Sequence, residues 1–272
     1  MRLDGETVLI TGANRGIGES IVRGFAQNGA NLVLLARTPR DVERLADEAA
    51  GHGVKCVVFA GDSSNRSDVR AMAAAALEKF GGIDILINVA GIYGPLEQPP
   101  EDDLDACTST IETSLMGTVF AVHAVLPHML AHRKGAIINF SGAGAVPAFP
   151  RLSACGASKA ALATFTETIA EQVREFGIRI NAIAPAVQDA HLPGQALEGG
   201  VCAHAAFYVD TPGEKANCET LPERAADLAL FLATAQGKGI TGHLISAVWD
   251  DWKNLPDKMK PGGAVPLHEF SS

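Results

Sequence analysis

The chain has 272 residues and a mass of 28.3 kDa, which suits one large domain or two small ones with a sizeable core. Hydrophobic residues make up 47%, charged residues 19% and the mean hydropathy is +0.14, which excludes a disordered chain and is typical of an apolar parallel sheet covered by helices. A net charge of −9 and a pI near 5.3 argue against nucleic-acid binding, because such affinity depends on clustered Lys and Arg.

The chain begins in a strand pattern, without a charged leader and an apolar signal core, and no later stretch reads as long enough to span a membrane. We therefore expect a cytoplasmic protein with no membrane partner. The five cysteines form no CxxC pair and are expected to be reduced. Two pairs, Cys202 with His204 and His128 with His132, are candidate metal ligands, but neither has a clear third ligand nearby, so we predict no metal.

The first element in chain order is an apolar run at 7–11, followed by the turn TGANRGIG at 11–18 and a helical pattern to about residue 28. Gly12, Gly16 and Gly18 would let the backbone approach a pyrophosphate, whose charge the helix N-terminus offsets. The alternative is a simple tight turn. Because this turn lies between a strand and a helix, the pattern favours a dinucleotide site.

The second predicted strand, 31–36, ends at Arg37, 19 positions after Gly18. An NAD-binding protein usually carries an acidic residue there, to bind the ribose hydroxyl. Arg37 and Arg15 instead offer two cations for a 2′-phosphate, which predicts NADP(H) rather than NAD(H). The alternative is that both arginines are simply solvated.

The rest of the chain continues the alternation of helices and strands. The predicted helices cover 41–50, 67–80, 104–133 with room for a break, 153–176 and 222–234; the predicted strands cover 54–60, 83–88, 135–141, 177–183 and 242–248. This order favours one doubly wound α/β domain over residues 1–250. Residues 187–221 lack periodicity and are expected to form a lid or substrate segment, and 251–272 form a C-terminal tail.

Several motifs occur in one order and spacing: TGANRGIG at 11–18, NVAG at 88–91, Ser141 after the fifth strand, and the pair Ser158 and Lys159. On these motifs the chain resembles the short-chain dehydrogenase/reductase family over about residues 5–248. The resemblance implies a single doubly wound domain with a seven-stranded parallel sheet. It also implies a homodimer or homotetramer assembled through two long helices, here about 104–133 and 153–176.

The resemblance also implies a cofactor site, position by position. Lys159 would bond the nicotinamide ribose. The other implied contacts are Gly12, Asn14, Arg15, Gly16, Ile17 and Gly18 for the pyrophosphate side, Asp62, Ser63 and Ile111 for the adenine, Asn88, Ala90 and Gly91 for the adenosine ribose, and Pro185, Ala186 and Gln188 bordering the nicotinamide.

Two catalytic positions depart from the family pattern. The family's tyrosine, which exchanges the hydroxyl proton during hydride transfer, is Cys155 here, and its helix asparagine is Ser114, while the serine that holds the carbonyl oxygen, Ser141, is present. The Cys155 thiol has an ordinary pKa of about 8.5, which Lys159 is expected to lower. Reach is the obstacle, because the thiol lies a ring length short of a phenol oxygen and is a weak donor.

Three other side chains could supply the proton instead of Cys155. Tyr93 follows NVAG by two residues, while Tyr208 and His191 lie in the predicted lid. Tyr93 is preferred, although packing against the Pro-rich loop is an equal alternative. Cys155 itself could act as a nucleophile or redox sensor, or simply widen the pocket.

Three functions remain open from the sequence. The first is an NADP(H)-dependent oxidoreductase that acts on a carbonyl or alcohol with a substitute proton donor. The second is a catalytically degenerate NADP(H)-binding subunit, acting as a cofactor sensor or as the hetero-oligomeric partner of an active relative. The third is a non-redox reaction on the same fold, such as elimination or isomerisation.

Overall fold

The computed structural model describes residues 1–95, 103–142, 152–185 and 222–258. Its strands are β1 (Thr7–Thr11), β2 (Asn31–Ala36), β3 (Cys56–Ala60), β4 (Ile85–Asn88), β5 (Gly135–Phe140), β6 (Ile178–Ala184) and β7 (Leu244–Ser246). Its α-helices are α1 (Gly16–Gln27), α2 (Pro39–Ala50), α3 (Arg66–Phe80), α4 (Leu104–Ile111), α5 (Gly117–His132), α6 (Ser153–Val173), α7 (Pro222–Ala233) and α8 (Leu255–Lys258).

The strands form one parallel seven-stranded sheet in the order β3-β2-β1-β4-β5-β6-β7. The chain first builds outward from β1 to β3 and then crosses back to β4 on the other side of β1. The carboxyl ends of β1 and β4 therefore flank the switch point at which doubly wound sheets bind their ligands. The predicted seven-stranded parallel sheet is confirmed.

Two apolar cores lie on the two faces of this sheet. The central strands β1 and β5 are buried along their whole length, as near-continuous apolar runs in a covered sheet must be. One core contains side chains of α1, α2 and α7, and the other contains side chains of α3, α5 and α6. Helices on both faces confirm the doubly wound class.

The long helical stretch after β4 contains the break that its sequence allows. A π-helical segment, Glu112–Met116, joins α4 to α5 without interrupting the rod. The whole run from Leu104 to His132 has an apolar window of mean hydropathy 1.4, long enough to cross a membrane by length and composition alone, with 39% of that window buried. The expectation that no stretch has this length is therefore wrong, although α5 packs on α3 and contributes to one of the two cores.

Element boundaries differ little from the predicted ones. Helix α2 begins two residues early, at Pro39, because a proline fits the first helical turn without losing a hydrogen bond. Strand β3 begins at Cys56, two residues later than predicted. The predicted lid, 187–221, and residues 259–272 of the tail lie outside the described residues.

Candidate active site

The glycine turn after β1 packs against the end of β4. Gly12 has a φ of +73°, and a Cβ placed on it would lie 2.6 Å from the backbone nitrogen of Ala90. A Cβ on Gly18 would lie 2.1 Å from the carbonyl oxygen of Gly12. These distances exclude a side chain, so both glycines are required for the turn to fold over the sheet edge.

The N-terminus of α1 is open toward the same edge. Arg15 stands at the cap position in an extended conformation, with no side-chain hydrogen bond to the first helical N–H groups. A Cβ on Gly16, which has a φ of +54°, would meet nothing within 4 Å. Uncapped N–H groups and the positive end of the helix dipole beside open space are what a pyrophosphate requires, so the turn fits a dinucleotide.

The replacement Gly12→Ala tests this part of the site. The new Cβ must displace the backbone of Ala90 and occupy a left-handed conformation, at a cost of about 1–3 kcal/mol. We expect at least a tenfold loss of NADPH affinity by titration calorimetry and a lower Tm. Gly24→Ala in α1 is the matched control, because its Cβ would meet nothing within 4 Å; equal affinity in the Gly12 variant would refute the predicted contact.

The two arginines predicted to select the nucleotide lie exposed near this edge. Arg15 belongs to the turn, and Arg37 follows β2 directly. Within the described part of the chain, neither forms an ion pair, whereas Arg23 and Arg44 are both held by Glu48. No carboxylate in the described part of the chain therefore competes with an anion for either guanidinium group.

The residues at the carboxyl end of β3 are partly engaged by the protein itself. The Asp62 carboxylate accepts hydrogen bonds from the backbone N–H and the hydroxyl of Ser64, both at 2.8 Å. Ser63 is buried, and its carbonyl oxygen lies 3.0 Å from where a Cβ on Gly117 would stand. Ile111, also predicted at the adenine, ends α4 and is half-buried.

A buried polar ladder crosses the sheet beneath the site. Asn88 accepts from the Thr11 hydroxyl at 3.4 Å and donates to the Asn139 side chain at 3.0 Å, and Asn139 donates to the Thr166 hydroxyl at 2.9 Å. Asn88 thus joins neighbouring strands of the sheet through its buried side chain. The sequence prediction missed Asn139 and Thr166; the signal was an amide inside the otherwise apolar strand β5.

Lys159 lies on α6, at the carboxyl end of β5. Its ammonium donates to the Phe140 carbonyl at 2.8 Å, and a Cβ on Gly91 would lie 3.5 Å from it. Burial lowers the pKa of Lys159. Since an ammonium has three protons and this bond uses one, two N–H groups remain for ribose hydroxyls.

Ser141 is buried at the end of β5, with its hydroxyl donating to the Lys159 backbone carbonyl at 2.9 Å. In this position the hydroxyl oxygen can accept a hydrogen bond, but its proton is not available to a substrate. To polarise a carbonyl, the hydroxyl must rotate away from α6.

Cys155 stands one helical turn before Lys159 on α6. Burial raises the pKa of its thiol, and the opposing effect of Lys159 is smaller. Lys159 lowers this pKa, as expected, but the thiol is less acidic than usual overall, because desolvation of the thiolate outweighs the attraction of the ammonium. A predominantly protonated thiol also weakens the nucleophile and redox-sensor hypotheses.

Tyr93 lies on the loop after β4 with 41% of its surface exposed. Burial of the remainder raises the pKa of its phenol, a Cys155 thiolate raises it further, and Arg15 lowers it. Tyr93 therefore interacts electrostatically with Cys155, at the predicted tyrosine position, and with Arg15 in the phosphate turn.

Ser114, at the predicted asparagine position, lies in the π-helical segment and is completely buried. Its hydroxyl accepts from the Ile92 N–H at 3.1 Å and donates to the Ile92 carbonyl at 3.2 Å. A Cβ on Gly91 would lie 3.4 Å from the same oxygen. Ser114 thus contacts the loop that carries Tyr93, and π-helical turns often occur at functional sites.

Of the residues predicted to border the nicotinamide, only Pro185 lies within the described part of the chain. Pro185 follows β6 directly and is half-buried. Ala186, Gln188, His191 and Tyr208 lie outside the described residues, as do Cys202 and His204. The described residues contain no group of three or more potential metal ligands, and the rings of His128 and His132 stack on each other with centroids 4.1 Å apart.

Known proteins resemble this chain along most of its length. The short chain dehydrogenase family model matches residues 6–198. The oxidoreductase UcpA of Escherichia coli is 34% identical over 266 residues, covering 96% of this chain and 99% of UcpA. The 3-oxoacyl-[acyl-carrier-protein] reductase FabG of Thermotoga maritima is 31% identical over 251 residues, covering 90% of this chain and 97% of FabG.

A solved structure agrees with the observed topology. The crystal structure of a proposed short-chain alcohol dehydrogenase from Sinorhizobium meliloti 1021 superposes with a TM-score of 0.82 at 28% identity, covering 90% of this chain and 96% of the other. The glycine turn, the parallel sheet and the extent of these matches agree, and the chain belongs to the short-chain dehydrogenase family of oxidoreductases, which use a nicotinamide cofactor.

Proposed function

We propose that the protein is an NADP(H)-dependent oxidoreductase that reduces a small carbonyl compound with Tyr93 as its proton donor. The observation that carries this proposal is the packing of Gly91, two residues before Tyr93, against the Lys159 ammonium, together with the electrostatic interaction between Tyr93 and Cys155. The nicotinamide, when bound, supplies the hydride. The chain's own residues bind the nucleotide, orient the carbonyl and deliver the proton.

Lys159 holds the nicotinamide ribose in this proposal. Its position against Gly91 and the Phe140 carbonyl fixes the ammonium, and its remaining N–H groups suit two ribose hydroxyls. Its charge also favours any anion that develops beside it. Lys159 therefore has a binding role that does not depend on a tyrosine at position 155.

Ser141 and Tyr93 act on the substrate oxygen. Ser141 orients the oxygen after its hydroxyl leaves the Lys159 carbonyl. Tyr93 donates the proton, and because its pKa is raised above the ordinary value of about 10, it stays protonated at neutral pH. A protonated phenol is an acid ready to act and a poor base, so carbonyl reduction is favoured over alcohol oxidation near pH 7.

The nucleotide preference rests on Arg15 and Arg37. We expect Arg37→Ala to weaken NADPH binding by about tenfold or more, because charge-assisted hydrogen bonds to phosphate contribute about 1.5–3 kcal/mol, while NADH affinity stays unchanged. Titration calorimetry with both nucleotides measures this difference. Arg174→Ala is the control, since it removes a cation paired with Glu171 at the far end of α6; wild-type protein that binds NADH as tightly as NADPH would refute the preference.

Stopped-flow mixing tests the activity itself. The NADPH-loaded enzyme is mixed with a broad panel of aldehydes and ketones, and the NADP⁺-loaded enzyme with the corresponding alcohols, while absorbance at the reduced nicotinamide band is followed. We expect consumption of NADPH with at least one carbonyl. Tight nucleotide binding with no hydride transfer across the panel would overturn the proposal.

A second function has an observation in its favour. A raised Cys155 pKa and a Ser141 hydroxyl bonded into α6 are also what a catalytically degenerate NADP(H)-binding subunit would contain. Such a subunit would serve as a sensor or as the partner of an active relative. Co-purification with that relative, together with absent turnover of the isolated chain, would favour it. A non-redox reaction would be recognised by product formed without nucleotide turnover.

We also propose the domain bounds, the cellular location and the oligomeric state of the protein. We propose one domain over residues 1–250 with a substrate segment at 187–221 and a tail at 251–272, in a cytoplasmic protein. A homodimer or homotetramer would form through α4, α5 and α6, because Phe120, Phe165 and Ile169 are apolar yet only partly buried. A groove of about 530 Å³ between α3 and α5 adjoins Phe120.

A further inference from the structure

The loop that carries Tyr93 contacts α4 and the π-helical segment through three of its residues, Gly91, Ile92 and Gly94. Gly91 faces the Ser114 oxygen, where its Cβ would lie at 3.4 Å, and Ile92 forms two backbone bonds with the Ser114 hydroxyl. Gly94, with a φ of +79°, packs on α4 so closely that its Cβ would lie 2.3 Å from the Thr110 hydroxyl oxygen. The residues before and after Tyr93 in the sequence are therefore both held against these helical segments.

We propose that Ser114 is a positioning residue for Tyr93, and that it holds the phenol in the site by fixing the backbone of Ile92. This inference rests on the proposed function, since positioning matters for catalysis only if Tyr93 is the acid. It assigns to Ser114 a role through Tyr93 rather than direct contact with the substrate. It also links the two departures from the family pattern, because the serine fixes a loop whose phenol replaces the reach lost at position 155.

The Ser114 hydroxyl can hold the loop because it bonds to both backbone polar groups of Ile92. A buried hydroxyl has one proton and two lone pairs, and Ser114 uses the proton on the Ile92 carbonyl and one lone pair on the Ile92 N–H. Removing the oxygen would leave both backbone groups of Ile92 without this partner at a half-buried position, which favours movement of the loop toward water. Tyr93, the next residue, would move with it.

The test uses fluorine NMR on the full chain without cofactor or substrate. The sequence contains two tyrosines, so incorporation of 3-fluorotyrosine gives two resonances, and the Tyr93→Phe variant assigns one of them. We expect Ser114→Ala to shift the Tyr93 resonance toward that of free fluorotyrosine and to lower the pKa of this phenol toward its ordinary value. Thr108→Ala is the matched control, since its hydroxyl bonds to the Leu104 carbonyl within α4.

A second measurement separates this inference from the proposed function. In single-turnover reduction, Ser114→Ala should lower the rate constant at least tenfold while the NADPH Kd changes less than threefold. If wild-type protein shows no turnover but Ser114→Ala still moves the Tyr93 resonance, the positioning stands and the catalytic proposal falls. An unchanged Tyr93 resonance in a folded Ser114→Ala protein overturns the inference, whatever the activity.

A variant outside Ser114 guards against misfolding. Gly94→Ala places a methyl group against Thr110 and displaces the loop from its other end without touching the Ser114 hydroxyl. If Ser114→Ala fails to fold, Gly94→Ala should give the same change in the Tyr93 resonance and the same loss of rate. A folded Gly94→Ala protein with both values unchanged counts against the inference.

Discussion

Replacing Cys155 with tyrosine is expected to raise the rate constant of carbonyl reduction by about tenfold or more, because Tyr93 already supplies part of the roughly 10²- to 10⁴-fold that a well-placed general acid contributes. Position 155 lies one turn before Lys159 on α6, so both side chains point from the same helical face. A phenol there gains the ring length that the thiol lacks, beside an ammonium that favours its ionisation. Single-turnover NADPH oxidation with the best carbonyl of the panel measures the gain.

Cys155→Phe is the matched control for that gain. It fills the same space with the same ring but carries no hydroxyl. If phenylalanine raises the rate as much as tyrosine, the gain comes from pocket volume rather than from a proton donor. If neither variant reduces carbonyls faster than the wild type, although both bind NADPH equally well, the lack of an acid at position 155 does not limit the rate.

Replacing Tyr93 with phenylalanine is expected to lower the wild-type rate constant of reduction by about a hundredfold or more, at the lower end of what general acids contribute. The raised pKa of Tyr93 fixes the pH dependence. A group with a pKa above 10 stays protonated between pH 6 and 9, so the reduction rate should be level there, whereas alcohol oxidation should rise with pH as the phenolate forms. The stopped-flow rate in each direction, measured across this range, tests both statements.

Two comparisons test the role of Tyr93. One is the Tyr208→Phe variant, and the other is Tyr93→Phe in the Cys155→Tyr background. A large loss in Tyr208→Phe with none in Tyr93→Phe would move the acid to residue 208 and contradict the assignment. In the Cys155→Tyr background, Tyr93→Phe should have little effect, because the new phenol takes over the proton. An equal loss in both backgrounds would indicate that Tyr93 only shapes the pocket.

The fold was predictable because its signals are local. Runs such as Thr7–Thr11 and Gly135–Phe140 are rich in apolar residues and buried throughout, as strands covered on both faces must be, and helical patterns separate them. Glycines 12 and 18 stand where the structure leaves no room for a side chain. The glycine turn could therefore be predicted from residue type and position alone.

The state of the catalytic groups was not predictable, because it depends on contacts between distant parts of the chain. Cys155 was expected to be acidic on the basis of its neighbour Lys159, but the extent of burial decides the sign of its pKa shift. Ser141 was expected to hold the carbonyl oxygen of a substrate, but its hydroxyl donates a hydrogen bond to the Lys159 carbonyl. Neither result is visible in the spacing of the motifs.

The contacts of Ser114 were also not predictable from the sequence. The sequence presents it as a weak substitute for asparagine, and only the structure reveals that it meets the loop after β4. The π-helical segment that carries it has no sequence signal beyond the expectation of a break in the long helix. The buried ladder through Asn139 and Thr166 likewise joins elements that are far apart in the chain.

The central claim is that the cofactor site is intact and that the acid has moved from position 155 to Tyr93. A crystal structure of the full chain with NADP⁺ bound tests it most directly, because it reveals which side chain faces C4 of the nicotinamide. We expect the Lys159 ammonium on the nicotinamide ribose and the Tyr93 hydroxyl on the open side of C4, within reach of a carbonyl oxygen. Nucleotide bound with Tyr93 turned to solvent and no donor facing C4 would contradict the account.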